Sequence, residues 1–335
     1  MSKGLAQMRR AANFTFDNFI NGGMLPSLPP IRGTWYFVDP YAGSDTGRTG
    51  KSLAQAFATF TKAYTACTSG RGDGIAVYSG GITTANTSTY LSAVLDWTKW
   101  GITVVGICAP TRMAQRARIV NASTATGLAY LIDVQGSNNT FYNIHIGNFG
   151  TGAGAVGGVK VTGNSNYFEN VHMIGGGGHT ATADDYDISL NAAENTFVNC
   201  VFGSDTYDKG NNANCNLLFP GGGAVSIRNR FYGCEFLSYH SSGTTAGAIR
   251  SAAAGVGIVR LHLFENCSFI AIRDGGTILS EASVVIGTNP TNGYFLFKDC
   301  ARIGYVDWGA VAAYCYTNAP TAHEAGGKFE AANPS

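Results

Sequence analysis

The residues of this 335-residue chain that could most readily do chemistry are acidic. Asp184, Asp185 and Asp187 form its densest carboxylate cluster, and Asp205 and Asp208 follow soon after. Two carboxyls facing each other across a sugar bond are what a glycosidase needs. Several carboxylate oxygens in one place would also suit calcium. The plainer expectation is that these acids decorate two polar loops, residues 180–186 and 205–214, and catalyse nothing.

Other candidates are thinner. A lyase needs a base beside its acids, and Lys160, Arg250 and Arg260 are scattered without a telling spacing. His145 and His172 share one repeat position, which Ser268 and Ala301 occupy later, so an outward-facing row of side chains is expected. His179 neighbours the acidic cluster and is expected to be structural or exposed. Trp97, Trp100, Tyr90 and Tyr130 would serve either as a sugar-stacking platform or as cover for one end of the fold. The glycine runs 175–178 and 221–223 have no Gly-Lys-Ser/Thr after them, so they read as tight corners rather than phosphate loops. Arg71-Gly72-Asp73 precedes a buried run and is discounted as an adhesion tripeptide.

The elements that must position these residues are set by a repeat. Phe141-Tyr142-Asn143-Ile144, Phe168-Glu169-Asn170-Val171, Phe197-Val198-Asn199-Cys200, Phe231-Tyr232-Gly233-Cys234, Phe264-Glu265-Asn266-Cys267 and Phe297-Lys298-Asp299-Cys300 are six copies of one block. Their Phe positions are 27, 29, 34, 33 and 33 residues apart. That period predicts a solenoid of stacked coils. Phe and the Cys or aliphatic three residues later face the interior. Asn marks a corner, because it tolerates the left-handed conformation and its amide can bond to the Asn of the next coil. Apolar runs before the blocks (Val156 to Val161, Tyr186 to Leu190, Asn216 to Phe219, Ala248 to Ile249, Val284 to Ile286) give each coil at least two strands. Nine or ten coils at about 4.8 Å make a rod of roughly 45 Å.

Composition agrees. Charged residues make up only 13% and Gly numbers 45, which suits short strands and many turns. A net charge of +1 gives no reason to expect nucleic acid. No apolar run is long enough for a membrane span, and the basic start, Met1 to Arg10, lacks the apolar core of a secretory signal. Cys200, Cys234, Cys267 and Cys300 share one position of the repeat and are expected to stack as buried free thiols, as in a reducing cytoplasm. No cofactor or metal is expected.

Residues 1–33 read as an extended arm. Phe14, Phe16, Phe19, Ile20, Leu25, Pro26, Leu28, Pro29, Pro30 and Ile31 are apolar or rigid and need a partner surface to cover them. A helix near 52–69, with Ser52 as N-cap and Gly70 as stop, is expected to close the first coil of a β-helix spanning 34–308. Residues 309–335 lose the repeat and read as a C-terminal cap or tail.

With these blocks in view, the chain resembles the right-handed parallel β-helix superfamily, which includes pectate-lyase-like proteins and phage tailspikes. Tyr36-Phe37-Val38-Asp39-Pro40, the glycine-rich loop after it, the helix from Ala54 to Tyr64 and the run Gly74 to Tyr78 resemble that family's start. Trp97 to Gly106 resembles its second coil. Cys108-Ala109-Pro110-Thr111, with Gln115 to Ile119, resembles β-helix proteins of tailed-phage virions. The resemblance implies an all-β fold: a single right-handed parallel β-helix with an N-terminal helical cap and an extended arm. It also implies a virion protein assembled in the host cytoplasm, on the capsid or the tail. A homotrimer is expected, since closed symmetry lets rod-shaped subunits bury one long face. Its partners would be further copies of itself and a major capsid or tail protein, with a surface glycan as a further ligand. The alternatives are a polysaccharide-degrading tailspike or lyase using the acids at 184–187 and 205–208, and a glycan-binding module without catalysis.

Overall fold

The computed structural model describes residues 31–318 apart from 80–89, 123, 176–184, 210–213, 222–224, 242–245, 252–256, 275–278, 281, 287–291 and 310–313. The chain winds through three parallel sheets, each strand pairing with its counterpart one coil away. One complete coil shows the plan. Thr140–Tyr142 lies in sheet A, His145–Gly147 in sheet B and Gly157–Val161 in sheet C, before Tyr167–Glu169 returns to sheet A. Each coil thus has three strands. The third is the short sheet B strand directly after the block, which its tight corner hides in the sequence. Sheet A runs from Trp35–Val38 to Cys315–Thr317 through a path of ten strands, about 43 Å at ~4.8 Å per step.

The block Phe residues form one interior column. Phe141, Phe168, Phe197, Phe231, Phe264 and Phe297 stack with ring centroids 4.5–5.0 Å apart. A second column, Phe202, Phe236 and Phe269, lines sheet B. The four block cysteines are buried and unbridged, and each donates its thiol to the carbonyl of the preceding coil's Phe at 3.3–3.5 Å. Apolar burial, at about 25 cal/mol per Å², drives this interior together, and a ladder of strand hydrogen bonds satisfies its backbone.

The corner between sheets A and B is left-handed at every block. Asn143, Asn170, Asn199, Asn266 and Asp299 have φ between 50° and 54°, and Gly233 has 59°. Asn170 Nδ2 donates to Asn143 Oδ1 at 2.8 Å, so the amide ladder forms. A further ladder lies two residues before each Phe. Asn139, Asn166, Asn195 and Asn229 are buried, and each side-chain oxygen accepts the backbone N–H of the residue one coil before, at 2.8–3.0 Å. His262 continues this row in the next coil, buried, with Nε2 on Ser226 O at 3.2 Å.

The helix differs in position from the expected one. It covers Phe60–Ala66, with a 3-10 turn at Leu53–Gln55 before it. Thr59 caps it by accepting from Lys62 N, whereas Ser52 makes no side-chain cap bond, and the helix ends at Cys67. The helix starts only after Phe57 because Phe57 N donates to Phe37 O and Phe57 O accepts from Asp39 N, which holds this segment against the first strand. Phe60 and Tyr64 then pack onto Trp97, closing the N-terminal end of the core.

Candidate functional site

Asp184 and His179 lie outside the described residues. Asp187 is fully buried inside the corner between sheets B and C, on the Tyr186–Leu190 strand. Its Oδ1 accepts from Lys209 Nζ at 2.7 Å and Gly175 N at 2.9 Å, and its Oδ2 accepts from Asn216 Nδ2 at 2.8 Å. Burial pushes the Asp187 carboxyl up, and Lys209 pulls it back. Gly203 permits this packing. Its φ is 91°, and a Cβ there would lie 2.8 Å from Asp187 Oδ2 and 2.1 Å from Leu237 O. Asp185 is also buried, its backbone N–H held by Asn214 Oδ1. Asp205 is exposed on a bulge, where the pairing of Val201–Asp208 shifts register. Asp208 accepts from Ser241. Among the described acids, Asp187 thus pairs with a buried lysine, Asp205 faces solvent and Asp208 holds Ser241.

A carboxylate pair does form elsewhere, on the outer face of sheet C. Asp96 and Asp133 are register partners on successive coils, with Lys160 next in the column. Gln135 Nε2 lies 3.3 Å from both Asp96 Oδ1 and Asp133 Oδ2. Lys160 Nζ is 3.2 Å from Asp133 Oδ2 and sits 5.2 Å over the Tyr130 ring. Thr162 Oγ1 donates to Asp133 Oδ1. Asp133 is buried and Asp96 exposed. The arrangement offers acceptors, a cation, an amide and a ring edge to a polyhydroxy ligand. Asp96, Asp133 and Lys160 lie on three strands and are 37 and 27 residues apart, so only knowledge of the coil boundaries would align them.

His145 and His172 do form a row on the outward side of sheet B, but they are not exposed. Each is 2% accessible. A strap, residues 109–116, crosses over them. Ala114 N donates to His172 Nδ1 at 2.9 Å, Gln115 Nε2 to Asn170 O at 2.7 Å and Arg112 Nη2 to Gly233 O at 2.7 Å. The two Nδ1 atoms are 2.9 Å apart, and His172 Nε2 meets Gly203 O at 2.8 Å. Burial pushes His172 down to about 4, with the Gly203 bond opposing. Burial, with His172 and Arg118 adding to it, holds His145 well below the ordinary histidine range.

The two tryptophans do not share a platform. Trp97 is wholly buried between the helix and Phe141, whereas Trp100 is 53% exposed beside Gly70. Of Tyr90 only the backbone is described. Arg71 and Asp73 form an ion pair at 2.7 Å in which the Asp is buried, so the tripeptide is a structural corner. Of the arm, Phe14, Phe16, Phe19, Ile20, Leu25, Pro26, Leu28, Pro29 and Pro30 lie outside the described residues, and Ile31 is half-buried. No group of three or more His, Cys, Asp or Glu side chains among the described residues is placed to hold a metal ion.

No family model matches the sequence, and no curated protein matches it either. Solved structures do resemble the fold. Pectate lyase Pel9A aligns over 85% of this chain and 68% of its own, with a TM-score of 0.55 and 15% identity. Pectin methylesterase PemA from Erwinia chrysanthemi aligns over 84% and 92%, with a TM-score of 0.50 and 12% identity. Likeness at that level of identity speaks for architecture alone. Three parallel sheets wound through successive coils, closed at one end by a helix, make this chain a right-handed parallel β-helix, a fold it shares with polysaccharide-degrading enzymes.

Proposed function

We propose that this chain is a non-enzymatic structural protein of a tailed-phage virion, a self-associating β-helix placed on a capsid or tail by its N-terminal arm. The observation that carries the structural reading is an apolar face left open on the last coils of sheet A. Leu261, Tyr294 and Tyr316 are 45%, 43% and 51% exposed. With Leu296 they line an open groove of about 360 Å³. A side-by-side homotrimer would cover such a face. The virion placement rests on the resemblance of residues 108–111 and 115–119 and on the apolar arm. Sedimentation of the purified full chain tests self-association, and a monomer at all accessible concentrations would count against it. Particle incorporation of a chain lacking residues 1–33 tests the anchor, and unchanged incorporation would end that role.

The Asp96–Gln135–Asp133–Lys160 cluster favours a second reading, in which the outer face of sheet C binds or cleaves a polysaccharide. The fold neighbours are named for pectate and pectin. Incubation with pectic and capsular polymers separates the readings. Cleavage by wild type that Asp133→Asn abolishes would establish an enzyme. Retention on a glycan array without cleavage would establish a binding module.

A further inference from the structure

The strap over His145 and His172 is tied down by bonds that only neutral imidazoles can make. His172 Nδ1 accepts Ala114 N–H, so it carries no proton, and Nε2–H must then donate to Gly203 O. His145 Nδ1, at 2.9 Å from that same acceptor, must be the donor of the pair. Its Nε2 is therefore unprotonated, and it is buried without a hydrogen-bond partner among the described residues. A proton added to His172 Nδ1 would face two donors. A proton added to His145 Nε2 would create a buried N–H with no acceptor. The surroundings do not help. Arg118 faces the pair from the neighbouring strand and opposes further positive charge on both rings, while Asp205 on the bulge favours it on His172. Arg116 and Arg112 on the strap are cationic too, Arg112 lying 4.0 Å from Glu235. Phe149 stacks on His145 and Tyr207 on Phe149, which keeps water from the rings.

We propose that residues 109–116 form an acid-released latch: protonation of the His145–His172 pair detaches the strap from sheet B while the coils beneath stay folded. The strap is the part that can yield. Cys108 packs against the core and Ala117 is buried in it, so both ends stay with the coil; between them the links to the coils are side-chain and single backbone hydrogen bonds, whereas the histidines belong to strands paired on both sides. Release would bare the two rings and the Asn143–Asn170 corner, a surface closed at neutral pH. Direction follows from linkage. The open strap returns His172 to the ordinary 6.5, and the closed strap holds it near 4. Opening therefore gains as pH falls below 6.5, by roughly 100-fold between pH 7 and pH 4.

Hydrogen exchange of the full chain, corrected for the intrinsic pH dependence, reads this directly. The Ala114 amide, which the latch holds on His172, should lose protection by about that factor between pH 7 and pH 4, while Gly157–Val161 and Tyr186–Leu190 keep theirs. His172→Gln, whose side-chain oxygen can accept Ala114 N–H without titrating, should remove most of the pH dependence. If that variant does not fold, ring titration by NMR in the wild type decides instead. A His172 midpoint near 6.5 with the strap still protected would overturn the proposal, as would loss of protection by strap and coils together.

Discussion

Lys209 is the side chain whose removal should be felt most. It is buried with Asp187 in a corner that gives the carboxylate two other donors and no exposure to solvent. Taking away one member of such a pair leaves an uncompensated buried charge, which costs about 3–5 kcal/mol. We predict that Lys209→Met lowers the urea midpoint accordingly, and that adding Asp187→Leu recovers much of the loss. If the single variant unfolds like wild type, the corner is wetter than its geometry implies. A second expectation concerns pH. Burial pushes His172 and His262 each down to about 4. A folded-state value below the unfolded 6.5 means the unfolded chain takes up protons first. Stability is therefore full above pH 6.5 and falls progressively toward pH 4. His262→Asn places in the row the residue that Asn229 supplies one coil earlier. Melting curves between pH 7 and pH 4 should show a shallower decline for this variant, and an unchanged slope would remove His262 from the account.

The corners show what a single residue does to an element. Asn199 and Gly233 occupy the same left-handed position on adjacent coils, with φ of 51° and 59°. A Cβ on Gly233 would sit 2.6 Å from Asn199 Oδ1. Gly233→Ala should thus be penalised twice, through the left-handed backbone at about 1–2 kcal/mol and through the contact. Asn199→Gly in the same chain should relieve only the second part, and a double-mutant cycle measured by thermal melts reads the coupling. An additive cycle would mean that the Asn199 amide simply swings away. These corners were legible beforehand because Asn-or-Gly recurs at a fixed step from Phe, and so were the Phe and Cys columns. The Asn two residues before the block Phe follows the same logic, since Asn139, Asn166, Asn195 and Asn229 recur as regularly, yet their burial emerges only once the chain turns inward there. The site was harder to see. Asp185 and Asp187 looked like loop acids because sequence clustering says nothing about which side of a strand faces inward. Asp96, Asp133 and Lys160 stood apart in sequence, and only the coil register makes them neighbours.

At the scale of the whole molecule, the N-terminal cap and the outer face of the last coils of sheet A play different parts. The N-terminal end of the core is closed by the Phe60–Ala66 helix on Trp97. Near the C-terminal end, Tyr294 and Tyr316 rest on each other at 5.7 Å with about half their surfaces open, and Leu261 pairs with Tyr294 in register. In a solenoid each coil is stabilised by its neighbours and by its interior columns, so these outward side chains contribute little to folding. Their replacement is therefore a clean probe of association. Leu261→Glu with Tyr294→Glu puts two like charges on the groove, and across a symmetric contact those charges would be repeated by every copy. We predict that this double variant melts within about 1 kcal/mol of wild type but sediments as a monomer, whereas wild type on the proposed reading sediments as a trimer. An unchanged assembly would move the contact off this face. A variant that instead melted early would show that the groove belongs to the fold of the last coils and not to a partner.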